Sequence, residues 1–275
     1  MVNFLISFAV YAAIGQILDV TEATTPCEDL VNCEQIFFDK ANCDLSPENA
    51  RMFCKKYCGL CSTPNVIVTD IDRGSNIRVT NQLGQGDEDF VLTNLGGGND
   101  NRVVNTGGDG NRRTVSTSIG DGSRNFIGNQ FGSGSDNLFR NQFGDGDDNV
   151  ASTLVGDGDR NRVENQFGRG DRNRATTEVG DGNKNQVINS FEGGQQLSAT
   201  TRIGDGSRNS ICNQIRGTGE NHELVNQIGT GDSNRIVNQA SGRTTRINNV
   251  IGDGSGNEVD NQITNDPQEQ QLFRC

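Results

Sequence analysis

Two residue types, cysteine and aspartate, carry the candidate chemistry of this chain. Six of its eight cysteines, Cys27, Cys33, Cys43, Cys54, Cys58 and Cys61, fall within residues 27–61. Thiols this dense either cross-link a module too small to bury a core or, as thiolates, hold zinc. Spacing alone leaves fifteen pairings of six cysteines open. Cys212 and Cys275 stand apart from the cluster. They read as bonded to each other or as an intermolecular cross-link. The aspartates recur in a Gly-Asp-Gly tripeptide as Asp109, Asp121, Asp145, Asp157, Asp181, Asp205 and Asp253. Carboxylates and turn carbonyls are calcium ligands, so these seven are the candidate metal residues. The competing reading is solvated turns in which aspartates are screened by Arg124, Arg160, Arg172 and Arg208. The expectation is no cofactor, with calcium the one these turns could take.

Enzyme chemistry finds no support. His222 is the only histidine, and no nucleophile is spaced with a base. The Gly-x-Gly pieces follow strand patterns and never open a helix, so a dinucleotide reading fails. The net charge of -12 excludes nucleic acid as an expected partner, because phosphate binding needs a basic face.

The elements that position these residues follow from the glycines. The seven tripeptides start at Gly108, Gly120, Gly144, Gly156, Gly180, Gly204 and Gly252, and every gap is a multiple of twelve. A fixed short period is the signature of a solenoid or array. The unit reads Asn-x-φ-x-Asn/Thr-x-φ-Gly-x-Gly-x-x, with φ an apolar residue, and seventeen starts fit from Asn65 to Asn257. One extra residue near 222 and one missing near 243 cancel. Positions 1, 3, 5 and 7 share one face because strand side chains alternate. Seven alternating residues followed by Gly-x-Gly-x-x make a strand and a turn.

At position 5, Thr69, Thr93 and Thr117 interleave with Asn81, Asn105 and Asn129, so like residues recur at every second unit. Two strands per coil would stack Thr on Thr and Asn on Asn about 4.8 Å apart, with asparagines bonding along the axis. The alternation slips between Asn129 and Asn141 and is lost after Asn213. The expected fold is all-β, a two-sheet β-solenoid of about eight coils over residues 65–263. The hydrophobic content of 31% suits such a thin core better than a large globular one. The threonine row, with Thr153, Thr177 and Thr201, should point inward, which argues against an ice-binding face. Gln82, Gln130, Gln142, Gln166, Gln214, Gln227, Gln239 and Gln262 recur at outward position 6.

Residues 1–15 are uncharged and largely apolar, too short to span a bilayer. Ala13 and Gly15 precede an expected cut before Gln16, so the stretch reads as a secretory signal peptide. A linker over 16–26 and a polar tail over 264–275 complete the expected organisation, with no membrane span.

The cluster Cys43-x10-Cys54-x3-Cys58-Gly59-x-Cys61, with the opening Cys27-Glu28-Asp29, resembles the ShKT domain family over residues 27–61. The resemblance implies the pairs Cys27–Cys61, Cys33–Cys54 and Cys43–Cys58, and an Asp29–Lys56 ion pair. Glu48 and Asn49 stand where toxin members carry their Lys-Tyr pair. The channel-blocking role is therefore not carried over. The twelve-residue unit is similar to the curlin repeat of extracellular amyloid fibres, in Gln166-Phe-Gly168 and Asn173-Arg-Ala175.

These features predict a secreted structural protein that self-associates end to end into a fibre, coat or matrix, with an extracellular matrix or surface as further partner. The alternatives are a soluble binding module or effector that docks through the knot, or a calcium-, mineral- or ice-binding solenoid.

Overall fold

The computed structural model describes residues 5–6, 17–20, 65–217 and 219–264. The cysteine module, with Cys27, Cys33, Cys43, Cys54, Cys58, Cys61, Asp29 and Lys56, lies outside the described residues, as do Cys275 and the tail beyond Thr264. The strands are β1 (Leu5–Ile6), β2 (Ile17–Val20), β3 (Val66–Ile71), β4 (Arg78–Leu83), β5 (Phe90–Leu95), β6 (Arg102–Gly107), β7 (Thr114–Ile119), β8 (Phe126–Phe131), β9 (Leu138–Phe143), β10 (Val150–Val155), β11 (Arg162–Phe167), β12 (Arg174–Val179), β13 (Gln186–Phe191), β14 (Ser198–Ile203), β15 (Ser210–Ile215), β16 (Glu223–Ile228), β17 (Arg235–Ser241), β18 (Arg246–Ile251) and β19 (Glu258–Thr264).

Odd-numbered strands form one ten-stranded sheet and even-numbered strands a second of nine, each in chain order. We call them the odd and even sheets. All pairings are parallel, so the chain crosses from sheet to sheet and returns one coil further on, making a two-sheet β-solenoid of about eight turns. Register partners lie two units apart, as Val163↔Val187 and Ala151↔Ala175 show. The separation grows by one at Ser198↔Glu223 and falls one short at Glu223↔Arg246, where the sequence has its extra and its missing residue. Neither change breaks a strand, because the turns absorb both. Among the described residues no helix is long and apolar enough to cross a membrane.

Two short strands precede the repeat. Ile17–Val20 pairs with β4, and Leu5–Ile6, inside the expected leader, pairs with β3. The interval 21–65 between β2 and β3 contains all six clustered cysteines. In chain order it stands where later units have a turn such as 84–89.

Positions 3, 5 and 7 point inward and are buried along most of the solenoid, the exceptions being Ile71, Gly107 and the residues of β18 and β19. Position 3 of one sheet packs with position 7 of the other, giving two apolar rows on either side of the position-5 row. Side-chain sizes compensate across the core. Phe143, Phe167 and Phe191 stack with centroids 4.9 and 4.8 Å apart in the odd sheet. The residues packed in the same row from the even sheet are Ala151, Ala175 and Ala199. Elsewhere in that row Leu95 and Ile119 are matched by Val103 and Ile127. Interiors are packed to near-crystalline density, so a large residue on one side requires a small one on the other.

We predict that Phe167→Ala costs about 3–5 kcal/mol of stability through the cavity it leaves. Ala175→Leu should cost about 1–3 kcal/mol by overpacking. Denaturant unfolding of the two variants and of the double variant checks both. The double variant should recover part of the loss.

Candidate functional site

The inner face is held by amides. Asn81 donates through Nδ2 to Asn105 Oδ1 at 2.7 Å, and Asn105 to Asn129 at 2.8 Å, each one coil further along the even sheet. The same nitrogens reach across the core to Thr93 and Thr117 at 2.9 and 3.0 Å. An amide nitrogen has two N–H groups, and this arrangement uses one along the axis and one across it. The slip in the sequence has a structural meaning. Asn129 bonds across the core to Asn141 at 2.8 Å, which moves the ladder to the odd sheet. It then continues through Asn165, Asn189 and Asn213, now with Thr177 and Thr201 opposite. Beyond Asn213 both sheets carry asparagine, and Asn226, Asn238, Asn249 and Asn261 form a double ladder. The six threonines are buried, as their inward position requires.

The turns carry three more rows. At position 1, each asparagine Oδ1 accepts the backbone N–H of position 1 one coil earlier, as in Asn125 N to Asn149 Oδ1 at 2.9 Å. At position 9 lie the candidate calcium residues. Oδ1 of Asp109, Asp121, Asp145, Asp157, Asp181 and Asp205 accepts the N–H of Ser133, Asp145, Arg169, Asp181, Asp205 and Thr230, at 2.7 to 2.9 Å. Asp253 stands in the last such turn. Among the described residues no group of three or more His, Cys, Asp or Glu side chains could hold a metal ion.

The flanking glycines are set by coil-to-coil contact. A Cβ on Gly144 would lie 2.3 Å from Asp121 Oδ1. A Cβ on Gly146, whose φ is +150°, would lie 2.0 Å from the Gly122 carbonyl oxygen. Only glycine tolerates both the angle and the approach.

Position 11 forms a row that the sequence reading missed. Ser123 Oγ accepts the Asp147 N–H at 2.9 Å, Asp147 Oδ1 the Asp171 N–H at 2.8 Å, and Asp171 Oδ1 the Gln195 N–H at 2.8 Å. Short acceptors recur there, and this recurrence was the available signal. Position 12 was also missed. It is left-handed at non-glycine residues, with φ of 55–65° from Asn76 to Thr244. Its side chains form alternating charge columns: Asp100–Arg124 at 2.7 Å, Asp136–Arg160 at 2.6 Å and Asp148–Arg172 at 2.7 Å. The Arg160 hydrogen bond holds the Asp136 carboxyl below its ordinary value, and Arg172 does the same for Asp148. Three of the four arginines expected to screen the turns, Arg124, Arg160 and Arg172, are thus paired.

Six units lack asparagine at position 1, where Ile77, Asp89, Arg113, Leu197, His222 and Thr245 stand. Asp89 and Arg113 replace asparagine and form a fully buried ion pair of 2.9 Å. Asp89 Oδ1 also accepts the Asn65 backbone N–H at 2.9 Å. Arg113 donates to the carbonyls of Gly84, Gly86, Gly108 and Asp109. The space for its guanidinium comes from Gly107, which stands at a position 7 that elsewhere carries a large apolar side chain. His222 departs at position 1 of the unit that carries the extra residue. It is buried, and burial pushes its pKa below the usual histidine value against an opposing contribution from the Gly219 backbone.

Cys212 faces outward as alternation demands, yet it is only 2% exposed and is disulfide-bonded. Gln239, also on the outer face, is buried beside it in the sheet. The outer glutamines bond along the axis at Gln214–Gln239 (2.9 Å) and Gln239–Gln262 (3.4 Å).

Among the described residues the inner face is most exposed in the last coil. Val259 and Ile263 of β19, which repeat the inward positions, are 46% and 52% exposed. The strand edges of β18 and β19 have no further strand beside them among the described residues.

Compared with protein-family models, curated proteins and solved structures, the chain matches none of them.

We predict that Arg113→Ala costs about 3–5 kcal/mol, because it leaves the buried Asp89 charge uncompensated. Replacing both residues by asparagine, which restores the position-1 row, should cost far less; thermal unfolding of the two variants checks this. A second prediction concerns acid. The carboxylates of Asp136 and Asp148 have folded pKa values below the ordinary 3.8. Their contribution is therefore complete above that value and is lost as pH falls through the depressed folded values. Thermal unfolding should show a falling midpoint below about pH 4, and high salt should reduce the difference between pH 6 and pH 3.

Proposed function

We propose that the chain is a secreted structural protein that assembles end to end into an extracellular fibre, coat or matrix. The observation that carries this reading is the open last coil. Among the described residues no further strand pairs with β18 or β19, and Val259 and Ile263 are exposed there. An uncovered parallel edge of this kind templates another strand. Lateral sheet stacking is the weaker route. The outer faces carry charged residues such as Arg140, Arg162 and Glu164, joined in salt bridges of 2.7 and 2.5 Å. Charged outer faces oppose indiscriminate stacking of sheets.

The cysteine-rich interval fits a module carried on the solenoid. In the chain it falls between β2 and β3, which belong to different sheets. The Gly-Asp-Gly aspartates bond to backbone N–H groups in this fold. In this reading they serve to hold one coil to the next, with calcium unnecessary for it.

Electron microscopy and fibre diffraction of the purified secreted protein test the proposal. The expected result is unbranched filaments with a reflection near about 4.8 Å along the axis. A protein that remains monomeric at high concentration in light scattering overturns it.

A further inference from the structure

The two sheets do not begin together. The odd sheet has ten strands and the even sheet nine. The surplus strand is β1, held by a two-residue pairing, Leu5↔Ile67 and Ile6↔Val68. It lies within residues 1–15, the segment that reads as a secretory leader. Hydrolysis of the Gly15–Gln16 bond by a leader peptidase, with water adding across it, would release β1 and leave a new ammonium group on Gln16. Each sheet would then contain nine strands. The first coil would be β2 with β3, and the last β18 with β19, so both ends would be flush.

The ends also match in hydrogen bonding. Along the central row every asparagine donates its amide N–H toward the C-terminal end. Asn261 closes the row, accepting from Asn238 and Asn249 at 2.8 and 2.9 Å. At the opposite end Thr69 of β3 is 5% exposed, and its Oγ1 has no hydrogen-bond partner. Buried hydroxyls are ordinarily bonded. A donor from the preceding coil of the same sheet is what Thr69 lacks. Asn129 supplies such a donor to Thr153 at 3.4 Å inside the molecule. In a stack of two copies, Asn261 of one would take that place beneath Thr69 of the next.

We propose, building on the self-assembly reading, that β1 is a built-in cap. Its removal with the leader opens the β3 edge to a second copy of this chain. β19 of one copy then pairs in parallel with β3 of the next, and β18 with β2. This joins different surfaces of the two copies and does not close, so it propagates as a filament. The device prevents assembly until the chain has been exported.

The test uses the full chain with a site-specific protease sequence between Gly15 and Gln16, purified uncut from a cytosol that lacks leader peptidase. Light scattering and electron microscopy should show monomer before cutting and filaments after it. Equal assembly before and after cutting overturns the cap while leaving self-assembly standing. No assembly in either state overturns both. A second variant, Val259→Lys with Ile263→Lys, changes residues already exposed in the monomer. Its circular dichroism should match the parent, its elongation after cutting should be lost, and small amounts of it should stop growth of parent filaments. Undiminished elongation by this variant overturns the end-to-end pairing.

Discussion

A buried amide is tolerated only where its donors and acceptors are satisfied, and this solenoid satisfies them from the next coil. Its core is too thin to be held by apolar contact alone, since a typical strand buries only two apolar side chains around a central polar one. The central asparagines turn that polar position into a continuous chain of bonds along the axis. Because each bond needs a like residue one coil away, the two-unit register is fixed by chemistry as well as by packing. A slip by one residue would put asparagine against an outer residue and break the row. The corners repeat the same solution at positions 1, 9 and 11. Axial rows of side-chain acceptors therefore meet backbone N–H groups that the strands themselves leave free.

The departures follow the same constraint. The ladder can change sheets at Asn129 because Asn141 lies across the core within bonding distance. Two units can exchange asparagine for Asp89 and Arg113 because the two charges satisfy each other and the glycine at 107 leaves room. His222 sits where the extra residue enters, in place of an asparagine. The row is interrupted there while the strands on either side remain paired.

Most of the features that repeat were legible in the sequence. The period, the inward face, the two strands per coil and the inward threonines all follow from residues recurring at fixed spacing. The charge screening between coils was also visible in Arg124, Arg160 and Arg172. Three features were not legible, each for a physical reason. The single pair Asp89–Arg113 has no period, so nothing marks two unlike residues as partners. The left-handed position 12 is filled by Asn, Asp, Glu, Arg, Lys, Gln, Ser and Thr, so no single residue type marks it as glycine would. The strands Leu5–Ile6 and Ile17–Val20 carry no repeat motif and owe their place to the edge they meet. The Gly-Asp-Gly tripeptide was conspicuous, and its aspartates gave a calcium reading. The structure gives them a different bond, one that a sequence without its coil geometry does not display.

The interval between β2 and β3 bears on how the molecule forms. Within the repeat each new strand closes a loop of two units, give or take a single residue, so the entropic cost of adding a coil is nearly uniform and winding can spread from any starting point. Ile17 must instead find Arg78, more than twice as far along the chain as any partner within the repeat. By the logarithmic scaling of loop closure this costs about 0.8 kcal/mol more than an ordinary coil, before any cross-links within the interval are counted. The four residue pairs of β2 repay less of that cost than the six of a full strand. Winding should therefore reach the N-terminal end last, and unwinding should begin there.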